Sequence, residues 1–284
     1  METRVLKDRL IGFLDVLGFT AFLQRETLEN VHKEYSSFID AAKTRTFFKA
    51  QGDNSGRTNF EFAEFVSDSI VLVSNPIDDV YNVNNFVGAI SYLLEMGFIA
   101  NLPLRGAITR GDFLVDSVRN IFISKEYADL VHFEAAQEWS GCAVLGLAED
   151  TIIDAIFGRV DKSILKEKQI GNNLVLSFKV PLKEKKSIEL FVVNFLIFMT
   201  KEQILAGLNH LIEPKKKNNT NFFEFLNSLA FEYQSLPPQF LPAIRTMMVK
   251  TRSGVRVAFL DEDGNPCKPG VDEIHWEAYG RWRE

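Results

Sequence analysis

Apolar and polar positions in the first half of the chain fall into short apolar runs separated by segments with helical spacing. Residues 9–17, RLIGFLDVL, are apolar almost throughout and carry a single carboxylate, Asp15, near their end. That pattern predicts a buried strand. Gly18 turns the chain toward a helix that begins near Thr20, with Phe22, Leu23 and Val31 among its apolar positions. Residues 49–59, KAQGDNSGRTN, have the composition of a loop. The runs FEFAEFV and SIVLVS, parted only by Ser67 and Asp68, predict a tight hairpin. Residues 80–96 fit an amphipathic helix with Gly97 as its stop. LPLRGAITRGDFLV then predicts a strand ending in a polar, glycine-containing turn. Residues 124–139 have helical spacing through Tyr127, Leu130, Val131 and Ala135. CAVLGLA predicts a strand and EDTIIDAIF a short helix. The order β-α-β-β-α-β-α-β is ferredoxin-like with elaborations, an α+β fold with helices packed on a mainly antiparallel sheet.

Beyond about residue 158 the periodicity weakens. IELFVVNF predicts a strand, EPKKKNNTN a loop, and FFEFLNSLAFEYQ a helix stopped by PPQFLP. IRTMMVKTR predicts the start of another helix, and VDEIHWEAYGRWRE a docked aromatic tail. Residues 1–160 thus form the predicted core, with 161–284 as a C-terminal extension of the same domain.

Composition narrows the functional classes. A formal net charge of -6 argues against a broad nucleic-acid-binding face, although a metal-bridged polyanion remains compatible. Cys142 and Cys267 are the only cysteines, too few for a disulfide framework or a thiolate zinc site. His32, His132, His210 and His275 show no ligand-pair spacing. The charged start, with Asp15 inside the first apolar run, fits neither a signal peptide nor a membrane span, so a cytoplasmic location with no membrane association is expected. The 25 phenylalanines are read as core or oligomer interface before any cofactor box.

Three segments carry candidate chemistry. In FLDVLGFT a carboxylate ends a buried strand, which is costly unless it is paired or coordinates a metal. The glycine that follows permits a turn into a helix whose first amides suit phosphate oxygens. A purely structural, helix-capping Asp15 is the alternative. In FVSDSIV, Asp68 sits at a hairpin tip, where aspartate is also common simply as a turn residue. LRGAITRGD sets Arg105 and Arg110 beside glycines, a setting for bidentate phosphate binding or for solvated charges at a strand end.

In this order the three segments resemble the catalytic core of class III adenylate and guanylate cyclases, over roughly residues 9–150. The resemblance implies that Asp15 and Asp68 jointly hold two divalent ions, Mn2+ or Mg2+, with the backbone carbonyl of Val16 as a further ligand. It implies that amides around Gly18, Phe19 and Thr20 meet a nucleoside triphosphate. It also implies a homodimer with composite active sites across an isologous interface. Two positions depart from the purine enzymes: Glu64 stands where those carry a base-reading lysine, and the helix over 124–139 has no arginine, leaving Lys125, His132 and Gln137 as substitutes. The segments FLDVLGF, SDSIVLVS, LRGAITRGD and SKEYADLVHFEAAQEWSGCAVL look most like the pyrimidine cyclases of bacterial antiphage (Pycsar) systems. Those convert UTP or CTP to cyclic UMP or cyclic CMP, which acts on a separate effector protein. Arg105 is then the first candidate for phosphate or transition-state contact, with Arg110 and Lys125 behind it. Phe60, Phe62 and Glu64 are candidates for the base pocket, placed on one strand face by alternation. The alternatives are a purine cyclase with atypical base contacts and a catalytically dead, nucleotide-sensing homologue.

Overall fold

A computed structural model describes residues 3–47, 58–229 (apart from 120, 159, 168, 170–172 and 198) and the backbone of 246–251 and 254–259. Within these residues the chain is an α+β fold built on an eight-stranded, mainly antiparallel sheet. Its strands are β1 (Arg4–Val16), β2 (Phe60–Val66), β3 (Ser69–Ser74), β4 (Leu104–Asp116), β5 (Ile121–Ile123), β6 (Gly141–Val144), β7 (Val175–Pro181) and β8 (Ser187–Val193). They lie in the order β2-β3-β1-β4-β6-β8-β7, with β5 paired to β4. Only β4 and β6 run parallel. The helices are α1 (Phe19–Arg25), α2 (Leu28–Ala42), α3 (Val80–Ile99), α4 (Lys125–Ala136), α5 (Leu147–Phe157), α6 (Lys162–Glu167), α7 (Lys201–His210) and α8 (Lys215–Ser228). A separate hairpin joins β9 (Thr246–Thr251) to β10 (Gly254–Phe259).

Alternation along β1 divides the core in two. Leu10, Leu14 and Val16 face the larger cluster, which includes Phe86, Ile90 and Leu93 of α3 and Ile152 and Ile156 of α5. Leu6, Ile11 and Phe13 face a smaller cluster with Val71, Ala107, Phe113 and Leu130, under α4. A near-continuous apolar run is what a strand covered on both faces requires. The central pairing is tight: a Cβ on Gly106 would lie 2.1 Å from the Phe13 carbonyl oxygen, so only glycine fits there.

Several sequence expectations are corrected. The helix expected from Thr20 through Val31 is two helices, because Glu26 is extended and the Thr27 side chain caps a new start by accepting from the Asn30 N–H at 3.3 Å. Gly97 lies inside α3 and does not end it. Its Cβ would meet the Leu102 carbonyl at 2.6 Å, so it serves packing against the returning chain. Trp139 lies beyond α4, which ends at Ala136. Much of EPKKKNNTN is the start of α8, and its polarity is partly internal: Asn219 is buried and both donates to and accepts from the backbone of Ser140, at 2.7 and 2.8 Å. IRTMMVKTR contains a strand, β9, and no helix begins there among the described residues. The loop at 49–57, the stop PPQFLP and the aromatic tail lie outside the described residues.

Candidate active site

The register of four strands sets one row of residues across the sheet. Val66 pairs with Ser69, Ser69 with Asp15, and Asp15 with Arg105. Asp15 shares its face with Phe13 and Ile11, the α4 side, but lies at the end of the strand, where cover runs out. It is half-buried, and Val66, across Ser69 in the same row, is 46% exposed. Asp68 follows Ser67 in the two-residue turn between β2 and β3; Ser67 adopts φ 56, a left-handed conformation suited to hairpin turns. The Val16 N–H donates to the Asp68 carbonyl at 3.0 Å, so the turn is bonded directly to the end of β1. Asp15 and Asp68, 53 positions apart in sequence, are thereby brought to one end of the sheet.

Electrostatics follow from that placement. Burial, foremost, pushes the Asp15 carboxyl above its ordinary range, and the neighbouring Asp68 charge adds to this. The Ser69 hydroxyl, donating to Asp15 Oδ1 at 2.9 Å, and the Arg105 charge pull the other way. The Tyr35 hydroxyl of α2 donates to the Ser67 carbonyl at 2.6 Å and so pins the turn that carries Asp68. Burial and the two aspartates push that hydroxyl up to about 12, so it stays a donor at neutral pH. Phe19 packs on Tyr35 with ring centroids 5.1 Å apart. The motif FLDVLGFT thus supplies both Asp15 and the aromatic ring that supports Tyr35.

The other anticipated residues are distributed unevenly. Gly18 has φ 77, ψ 16 and caps α1; Gly18 and Thr20 are exposed and follow closely on Asp15 in sequence. Arg105 is next to Asp15, but its guanidinium is held by Glu134 of α4 through Nε and by the Gln137 carbonyl through Nη1 at 2.8 Å. Arg110 is elsewhere: it forks onto Asp8 at 2.7 Å through Nε and Nη2 and reaches Thr151 at 2.9 Å. Five residues along β4 place it roughly 16 Å from Arg105, so the structure does not bring it to the pair. A bulge between Phe60 and Phe62 breaks the expected alternation. Phe60 packs on Phe86 at 5.6 Å in the larger core, whereas Phe62 packs on Phe113 and Phe122 at 5.8 and 4.9 Å on the α4 side. Glu64, opposite Val71, is exposed on the same side as Asp15. Lys125 and His132 are exposed on α4, and Gln137 is buried with Nε2 donating to the Gly106 carbonyl at 2.8 Å.

Two contributors had no legible signal: Tyr35, one aromatic among many, and Glu134, an acid in a polar helix. Ser69, by contrast, stands in the tripeptide Ser67-Asp68-Ser69, where its proximity to the turn could have been read.

No family model matches the chain, and no curated protein matches it. Among solved structures it is similar to the catalytic core of a rhodopsin-guanylyl cyclase with converted specificity in complex with ATPαS: TM-score 0.42, 13% identity, covering 68% of this chain and 98% of that one. It is similar to a guanylate cyclase domain from Catenaria anguillulae in complex with GTP: TM-score 0.39, 14% identity, covering 67% and 97%. It is also similar to a bacterial light-regulated adenylyl cyclase, at TM-score 0.42 and 8% identity, covering 80% and 59%.

Whether the aspartate pair suits divalent cations can be judged from the donors themselves. Two carboxylates converge at a partly buried end of the sheet where the Asp68 charge raises the cost of ionising Asp15, an arrangement that a cation relieves. No group of three or more His, Cys, Asp or Glu residues able to hold a metal occurs among the described residues. One or two carboxylates completed by a backbone carbonyl and substrate phosphates is the habit of magnesium and manganese sites. The residues fit.

Proposed function

We propose that this chain is a class III-type nucleotide cyclase that converts a pyrimidine nucleoside triphosphate, UTP or CTP, to its 3′,5′-cyclic monophosphate and pyrophosphate. The observation that carries the reading is the meeting of Asp15 and Asp68 at one end of the sheet, with Ser69 bonded to the first and Tyr35 to the turn of the second.

In this reading Asp15, Asp68 and the Val16 carbonyl would hold the divalent ions. When bound, such ions lower the pKa of the ribose 3′-hydroxyl and neutralise triphosphate charge. The 3′-oxygen would attack the α-phosphorus in line and release its proton to solvent, while the bond from the α-phosphorus to the bridging oxygen breaks and pyrophosphate leaves. Ser69 orients the Asp15 carboxylate toward the opening, and Tyr35 keeps the hairpin turn from moving away. Arg105 acts from behind: its charge favours the ionised form of Asp15, while Glu134 holds its fork. The exposed end of α1, at Gly18 and Thr20, is the proposed approach for the phosphates.

Two features support the finer parts. Glu64 is an exposed acceptor on the Asp15 side of the sheet, and α4 carries no arginine, both departures from the purine pattern. The exposed Val66 beside Ser69 leaves the site open to a second subunit, in keeping with a homodimer whose sites are shared. No helix among the described residues is long and apolar enough to cross a membrane. The proposed role is production of a second messenger for a separate effector in antiphage defence. Incubating the protein with each of the four NTPs and Mn2+ tests the substrate: cyclic UMP or cyclic CMP supports the proposal, cyclic AMP or GMP alone replaces the pyrimidine part, and no cyclic product removes the reading.

A further inference from the structure

The segment between α4 and β6 is a hub on which three cation-bearing elements converge. Arg105 of β4 donates to the Gln137 carbonyl at 2.8 Å. Glu138 donates its N–H to the Pro181 carbonyl at 2.9 Å, and Gln137 bridges to Leu182, which brings Lys183 alongside. On α8, Asn218 donates to the Glu138 carbonyl at 2.6 Å, and Asn219 grips the backbone of Ser140. Lys215 lies three and four positions before those asparagines, so it shares their helix face and points to the same hub, one turn nearer the helix start.

The charges gathered there are incompletely matched. Arg105 is paired with Glu134, but Lys183 and Lys215 have no ion pair among the described residues. Glu138 is the carboxylate that faces Lys215. Burial first, then the nearness of Arg105 and Lys183, hold the Lys215 ammonium below its ordinary range despite Glu138. A half-buried ammonium facing two further cations is an arrangement that an anion stabilises. The cluster adjoins Arg105, whose strand partner is Asp15.

We propose that Lys215, with Lys183 and Arg105 beside it, forms a subsite for a polyphosphate chain running alongside Asp15, so that the C-terminal helix α8 contributes directly to the site. The proposal rests on the reading of the Asp15–Asp68 pair as the centre of a nucleoside triphosphate enzyme. Its ligand is the β,γ-phosphate tail of the substrate, or the pyrophosphate released from it.

Calorimetric titration of the full chain with inorganic triphosphate, without divalent metal, tests it. Lys215→Gln is expected to weaken binding about tenfold, Lys215→Arg to retain most of it, and the exposed control Lys166→Gln to leave it unchanged. Far-UV circular dichroism and the urea midpoint check that each variant is folded. With UTP and with pyrophosphate as separate arms, Lys215→Gln raises KM if the tail of the substrate is held and relieves product inhibition if pyrophosphate is held. Equal binding by wild type and Lys215→Gln, or no binding by wild type, overturns the subsite. If no NTP is cyclised while Lys215→Gln still lowers triphosphate affinity, the cyclase reading falls and the subsite stands.

Discussion

Replacing Arg105 with methionine removes one half of a buried ion pair, and its consequence can be worked from the structure. The side chains of Arg105 and Glu134 are 11% and 5% exposed, so neither charge has water to replace its partner. Breaking such a pair from one side costs about 3–5 kcal/mol, because the remaining charge stays buried. The Gln137 carbonyl also loses a charged donor, a loss contained in that figure. Burial already raises the Glu134 carboxyl, and the Arg105 charge and hydrogen bond are the foremost effects that lower it, ahead of the Lys183 charge, so in Arg105→Met it rises further. The sign follows: a carboxyl raised in the folded state costs nothing below its unfolded value and progressively more as pH rises through the folded value. Arg105→Met is therefore expected to lose more stability at pH 8 than at pH 5. Adding Glu134→Leu should recover most of the loss, since an apolar pair of similar volume can replace a buried ion pair at little cost. Urea unfolding followed by circular dichroism at both pH values measures all four corners of the cycle. A single-mutant loss below about 1 kcal/mol, the range of exposed pairs, or additive single losses, would refute the reasoning.

Three other perturbations are informative. Tyr35→Phe removes the donor to the Ser67 carbonyl and is expected to cost about 1 kcal/mol while raising the Mn2+ concentration needed for half-saturation, read by calorimetry; unchanged metal affinity would mean that the hydroxyl does not position Asp68. Asp15→Asn should abolish turnover yet stabilise the fold, most clearly at neutral pH. The raised Asp15 carboxyl costs stability as pH climbs through its folded value and nothing below its unfolded one, so the gain over wild type should vanish in acid. Gly106→Ala forces a methyl group to within 2.1 Å of a carbonyl oxygen and should cost several kcal/mol or prevent soluble expression, measurable as the urea midpoint or its absence.

The central strands were legible because burial on both faces writes near-continuous apolar runs, as in β1 and β3, and because a two-residue gap between strand-like runs leaves only a hairpin. The bulge that sends Phe60 to the opposite face from Phe62 leaves no such mark, since one inserted residue reads like any other. α8 was obscured because part of its buried surface is amide: Asn219 is polar in sequence but satisfied by the backbone of Ser140, so polarity there does not mean solvent. The candidate site divides in the same way. Asp15, Asp68 and Arg105 stand in short motifs that alternation and turn chemistry could place. What Arg105 does with its guanidinium depends on Glu134, 29 residues away on another element, and the hold of Tyr35 on Ser67 spans 32. Side-chain partners at such separations are set by packing, which local periodicity does not encode.

Asp15 and Asp68 acting together is the claim on which the rest depends. It is tested most directly by mass spectrometry of products from UTP and CTP with Mn2+, comparing wild type with folded Asp15→Asn and Asp68→Asn variants. The account predicts a cyclic pyrimidine monophosphate and pyrophosphate from wild type and neither product from either variant. Cyclic product from either single variant at the wild-type rate would contradict it.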